Sequence, residues 1–355
     1  VGGCAGRSAV IGGADQHRKR LESAVNAAEV RLPKSAVDPL HRSFTVSLAP
    51  VGETLISEVV EDDLAFDEAL PSWSVAGEQA FTVEIRVRRP GASPEGIWSP
   101  WLRIGDWGAP ARLDDTPTQF KDGKVAVDVL TLTEPHDAAQ LRFLGPEGAL
   151  VADDFAVSMV LSDTRKLDAT LEATRAEPWK GSKLLRVAPR SQRAVGDDIG
   201  GRICSPTSVS MVAAYHGASI PTRQMAEALL DPNFDIYGNW NRAVQGPAAL
   251  GVPGRLVRVS SWSTVAAYLD RGLPVVASIK AKEGELAGAP YKKTAGHLFV
   301  VTGLGPAGAV HVNDPAARLA LDVPRVYQRA DMERVWFANG GVGYVFGPKL
   351  AESAQ

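Results

Sequence analysis

Cysteine is scarce in this sequence: of 355 residues only Cys4 and Cys204 carry a thiol, and only Cys204 lies in the interior of the chain. Pairing the two would tether a polar tail to the one interior thiol, so both are expected to be free or differently used. An excess of one charge is missing as well. Lys and Arg number 38 against 41 Asp and Glu, a formal net charge of −3, so nothing points to nucleic acid or an anionic surface. Arg18-Lys19-Arg20 is a short basic cluster without interleaved aromatics. No run of 18 apolar residues occurs, which excludes a membrane-spanning helix. What is present is a globular composition, 45% hydrophobic and 22% charged, on a chain long enough for two domains.

Residues 1–40 are rich in Gly, Ala and charge and read as a tail or tether, with one weak helical stretch from Gln16 to Val30. Val1-Gly2-Gly3-Cys4-Ala5-Gly6 resembles the end of a bacterial lipoprotein signal, in which small residues precede a cysteine that is lipidated after cleavage. On that resemblance the mature chain starts at Cys4 and sits outside the cytoplasm, secreted or lipid-anchored at the cell envelope, with the lipid on Cys4 as its only membrane contact. A disordered expression remnant is the competing reading.

From residue 41 to 162 the pattern changes to alternation of period two. The segments Phe44–Leu48, Phe81–Arg88, Val125–Leu132, Ala139–Phe143 and Phe155–Leu161 predict the strands of an antiparallel β-sandwich. Tryptophans mark this region at Trp73, Trp98, Trp101 and Trp107. Exposed rings of this kind can stack on sugar faces, whereas most Trp is core. Trp98 and Trp101 stand an odd number of residues apart, so on a regular strand they face opposite sides and one of them is available for a glycan contact.

Residues 163–182 form a linker helix ended by Pro178, and a second domain runs over 183–350. Its order is a cysteine-bearing helix, further helical and loop segments to Leu250, a helix from Trp262 to Arg271 closed by Gly272, and then strands at 275–279, 298–303, 310–314 and 342–346. Helices before sheet is an α+β order.

The stretch Gly200 to Gly217 places Cys204 at a helix start. Pro206 suits a first turn and Gly217 the left-handed position that ends a helix. A cysteine there sits at the positive end of the macrodipole, which favours the thiolate. By itself such a residue is more often a small buried hydrophobe, so a base and an orienting partner decide its role. His17 lies in the tail, His41 and His136 in the sandwich, and His216 roughly 18 Å along the helix from Cys204. His297 and His311 remain, on two strands joined by Gly303–Gly308. With the turn centred between Gly305 and Pro306, His297 lies directly opposite Asp314 and His311 points to the other face. Each residue alone has an ordinary structural explanation; their joint occurrence favours chemistry. No second cysteine or close histidine pair accompanies Cys204, so no metal is expected, and nothing implies a cofactor. The Cys204 N–H and the side-chain amide of Gln192 are candidate oxyanion donors.

Ser191-Gln192, Gly201-Arg202-Ile203-Cys204-Ser205-Pro206-Thr207, Gly296-His297 and Asn313-Asp314-Pro315 occur in the order Gln, Cys, His, Asp. In these residues the chain resembles the C39-like cysteine peptidases, a branch of the papain-like fold. The resemblance covers about Lys183 to Gly347; the sandwich before it looks like the first half of bacterial two-domain relatives. It implies Cys204 as nucleophile, His297 as general base and acid, Asp314 as orienter with Asn313 as the fallback, and Gln192 as oxyanion donor. The expected function is a cysteine hydrolase, a peptidase or amidase acting on peptide or cell-wall peptide bonds. An acyltransferase or transglutaminase-like enzyme shares the same nucleophile and base, and a glycan- or protein-binding protein with a vestigial site is the alternative outside enzymes. The family's double-glycine leader substrates are not carried over, because this chain has neither membrane spans nor an ATP-binding motif.

Overall fold

A computed structural model describes residues 38, 40–75, 79–91, 97–108, 116–145 and 150–347. The tail helix, Cys4 and the lipoprotein-like start lie outside the described residues. The N-terminal part consists of β1 (His41–Val46), β2 (Leu48–Val51), β3 (Thr54–Ser57), β4 (Val60–Val75), β5 (Phe81–Arg89), β6 (Ile97–Trp98), β7 (Leu102–Trp107), β8 (Gln119–Phe120), β9 (Gly123–Ala126), β10 (Val129–Leu144) and β11 (Phe155–Ser162). Pairing is antiparallel throughout. The expected two layers are joined: β10 pairs with β4 from Leu130 to Ala139 and with β3 from Arg142 to Leu144, and also with β9 from Val129 to Leu132 and with β5 from Ala138 to Leu144, with pairing irregularities around His136. One continuous sheet therefore folds over a single apolar core. Trp73 of β4 and Phe155 of β11 meet Phe81 of β5 and Phe143 of β10 edge-on across it.

Three strand expectations need correction. Val125–Leu132 is not one strand, because the chain reverses at Val127-Asp128, between β9 and β10. Ala139–Phe143 is not separate but the second half of β10. The 16-residue β4 was not anticipated, since its acidic residues and Pro71 argue against a strand. Pro71 is accommodated because it pairs only with Met159 of β11; β10 leaves β4 at Ala69.

Trp98 and Trp101 do not face opposite sides. Both stack on the Arg86 guanidinium, at 4.5 and 4.7 Å from the ring centres, and Arg142 lies 4.6 Å from Trp101. The odd-spacing argument fails because Ser99-Pro100 interrupts the strand between them. The ring faces turned to these cations are occupied, which removes the argument for a glycan platform there.

After helix α1 (Leu167–Ala176) come α2 (Cys204–Tyr215), α3 (Thr222–Leu229), α4 (Trp240–Ala248), β12 (Gly254–Arg258), α5 (Trp262–Asp270), β13 (Val275–Ala281), β14 (Thr294–Leu304), β15 (Ala309–Asn313), β16 (Pro324–Gln328), α6 (Arg329–Val335) and β17 (Val342–Phe346). The strands form a six-stranded antiparallel sheet in the order β12-β17-β13-β14-β15-β16. Helix α2 is buried on every side from Ser205 to Ala213, as a helix that is apolar or small all round must be. Among the described residues no helix is long and apolar enough to cross a membrane.

The two parts are joined by hydrogen bonds that use the alternation of β4. Trp73 and Val75 enter the N-terminal core, while Ser72 and Ser74 face the other way. Ser74 Oγ donates to Gly254 O and accepts from Gly254 N, and Ser72 Oγ accepts from Leu256 N, at 2.9–3.0 Å. Gln245 of α4 closes a similar pair on Val75, accepting from its N–H at 2.8 Å and donating to its carbonyl at 3.2 Å.

Candidate active site

Cys204 is the first residue of α2 and half-buried. The helix ends as its sequence requires: Gly217 adopts φ +97°, its N–H donates to Ala214 O, and Ala218 N–H donates to Ala213 O, which satisfies the carbonyls of the last turn. One turn on from the thiol, Ser208 Oγ donates to Leu298 O at 3.1 Å. Leu298 follows His297 on β14, so this bond fixes the helix that carries the sulfur against the strand that carries the imidazole.

The strand register differs from expectation. Val300 pairs with Asn313 and Val301 with Val312, while Gly303 pairs with His311 and Leu304 with Val310. The turn is centred near Ala307, which has φ 52°, rather than between Gly305 and Pro306, and Thr302 is a bulge on β14. At Asp314 the net displacement is two residues. An even displacement keeps each side chain on its own face, so Asp314 still reaches His297, diagonally and from just beyond the end of β15. His297 Nε2 lies 2.8 Å from Asp314 Oδ1, which leaves Nδ1 for the hydrogen bond between His297 and Cys204. His311 lies on the other face, with Trp179 and Leu184 at a separate surface depression. His216 is half-buried at the far end of α2, and desolvation lowers its pKa to about 4.

Asp314 is fully buried and well supplied with donors. Oδ1 also accepts from Ala316 N at 3.0 Å, and Oδ2 accepts from Tyr327 Oη at 2.7 Å and Tyr291 Oη at 3.3 Å. Asn313 points elsewhere, donating to Val187 O at 2.8 Å. Gln192 is buried in the turn before α2; its Nε2 donates to Gly200 O at 2.8 Å and its backbone N–H to Pro315 O at 2.9 Å. It thereby ties the loop entering Cys204 to the loop leaving Asp314. Gln192 is not among the residues lining the cleft beside Cys204.

The electrostatics follow from these contacts. Burial pushes the Cys204 thiol up, but the hydrogen bond and charge of His297 and the N–H groups of Leu298 and Ser205 outweigh it, and its pKa is lowered. For His297 burial favours the neutral ring; the charge and hydrogen bond of Asp314, with Cys204, reverse this and raise its pKa to about 10. Burial raises Asp314, yet His297 and the Tyr327 hydroxyl hold its carboxyl below the ordinary value. The arrangement therefore favours a thiolate beside an imidazolium.

A cleft of about 470 Å³ opens at Cys204, walled by Trp240, Ile279, Leu298 and Val342, and by Ala126–Val129 of the N-terminal part. The sequence reading missed Tyr291, Tyr327, Ser208 and the wall that Ala126–Val129 supplies. Tyr291 stands in a polar loop and Tyr327 on an unrecognised strand, so neither has a local signal. Ser208 could have been found from its i, i+4 relation to Cys204.

The fold and this constellation define a thiol–imidazole–carboxylate site in an α+β domain. Residues 184–344 match the Peptidase_C39 like family. Among solved structures, the chain is similar to a double glycine motif protease from an AMS/PCAT transporter in complex with the leader peptide. The identity is 15% and the TM-score 0.30, over 48% of this chain and 93% of that one. No curated protein matches.

Proposed function

We propose that this protein is a cysteine hydrolase that cleaves amide bonds of a peptide or cell-wall peptide. The observation that carries this reading is the hydrogen-bonded series Cys204, His297, Asp314 at the head of a cleft. The Cys204 thiolate attacks the carbonyl carbon, and the resulting oxyanion is met by the Cys204 N–H, with the Gln192 side-chain amide as the second candidate donor. The imidazolium of His297 gives its proton to the leaving amine as the C–N bond breaks. Water then attacks the thioester, His297 takes its proton, and the C–S bond breaks to return the thiolate and release the acid. Asp314 keeps Nδ1 of His297 aimed at the sulfur throughout. An envelope location, resting on Val1–Gly6, belongs to the same proposal.

Screening the purified protein against peptide and muropeptide libraries, with Cys204→Ala as control, tests it. Product that appears with the parent chain and not with the control supports hydrolysis. Equal product from both overturns it.

A further inference from the structure

We infer that the turn of the β9–β10 hairpin, although part of the N-terminal sheet, is a specificity wall of the Cys204 cleft: Val127 supplies the apolar contact that favours an apolar group beside the thiol. The inference rests on the proposed chemistry of Cys204 and adds a substrate class to it, a peptide with an apolar side chain next to the attacked carbonyl.

Ala126 pairs with Val129, which leaves Val127-Asp128 as a two-residue loop. Val127 has φ 58° and Asp128 does not share the positive angle. Where only the first residue of such a loop is left-handed, glycine is the residue that fits without steric conflict. A β-branched side chain there is a marked outlier. Turn formation does not call for Val127, and it belongs to neither hydrophobic core among the described residues. The cleft is the surrounding that accounts for it: Val127 lines the same space as Cys204, Trp240 and Ile279. Strained residues persist where their surroundings hold them, and the hold is visible. The buried Asp128 carboxylate accepts from Trp240 N at 2.8 Å and Asn241 Nδ2 at 3.2 Å, at the start of α4. Trp240 is itself a cleft residue, so the turn and the start of α4 are fastened together along the cleft. Arg202 pairs with Asp235 at 3.0 Å, and apart from Lys280 and Asn339 the rest of the lining is mainly apolar.

The test compares alkylation of Cys204 by iodoacetamide and by N-benzyl iodoacetamide, read at the Cys204 peptide by mass spectrometry. It uses the whole chain and its Val127→Gly and Val127→Ala variants. Iodoacetamide alone reports the thiolate; the ratio of the two rates reports the wall. Relative to N-acetylcysteine the ratio should be raised in the parent chain, lower in Val127→Ala, and about tenfold lower in Val127→Gly. The iodoacetamide rate should stay within about twofold, and glycine relieves the left-handed angle, so the fold is kept. Equal ratios in all three proteins overturn the wall. An ordinary-thiol pH profile for iodoacetamide overturns the proposed chemistry instead, and the ratio still decides on Val127.

Discussion

The Tyr327 hydroxyl donates a 2.7 Å hydrogen bond to Asp314 Oδ2, on the oxygen that His297 does not use. Tyr327 stands on the edge strand β16 and pairs in register with Val310 of β15, so the sheet carries the hydroxyl to the carboxylate. Tyr327→Phe leaves Oδ2 with the longer Tyr291 contact alone, and a lost bond to a buried charge costs about 1.5–3 kcal/mol. Asp314 has a lowered pKa; its contribution to stability is present above the unfolded value and is lost as pH falls through the folded one. With less depression in the variant, acid unfolding should begin at higher pH. Circular dichroism at graded pH checks this, and an unchanged acid midpoint counts against it.

Two shifted groups set the pH response of the site. Because the Cys204 pKa is lowered, iodoacetamide should label it at neutral pH, and His297→Gln should move labelling to the ordinary thiol range and slow it at pH 6 by about tenfold or more. His297 has its pKa raised from 6.5 to about 10. Its stabilising contribution is therefore complete below 6.5 and is lost as pH rises toward 10. The difference in denaturant midpoint between parent and His297→Gln should shrink over that window.

Gln192 separates substrate turnover from thiol reactivity. Alkylation develops no oxyanion, whereas acyl transfer does. Gln192→Ala should lower kcat by about 10²–10³ and leave iodoacetamide labelling of Cys204 within a few-fold. An equal loss in both assays would mean that the Gly200 contact, which positions the turn before α2, accounts for the whole effect.

What could be read from the chain depended on whether the signal was local. The Cys204 helix was legible at both ends because its cap chemistry sits in adjacent residues, Pro206 and Gly217. His297 and Asp314 were legible through parity: the register was off by two residues, and a shift of two does not change a side chain's face. Val127 was illegible for the opposite reason. Its β-branched side chain reads as strand, and only tertiary contact with α4 reverses the chain there. Pro71 hid β4 likewise, since that proline is tolerated only where β10 has departed. Tyr291 and Tyr327 reach Asp314 from a loop and from a strand that follows it in sequence, contacts that no local pattern announces.

Gly296 offers a steric probe of the cleft that leaves the chemical groups in place. It precedes His297, lines the cleft, and has no positive φ. A Cβ built on it meets no atom within 4 Å, so the residue is not required by packing. Added side-chain atoms would enter the space that a substrate backbone needs. Gly296→Val should therefore keep stability within about 0.5 kcal/mol of the parent, as surface changes do, and keep the iodoacetamide rate, because a small reagent still fits. Peptide turnover should fall mainly through a higher KM, the sign of lost ground-state binding. Denaturant unfolding, alkylation and steady-state kinetics on the one variant check all three. A loss of stability would show that the strand start at Thr294 cannot carry a side chain at 296, and an unchanged KM would place the substrate elsewhere than along β14.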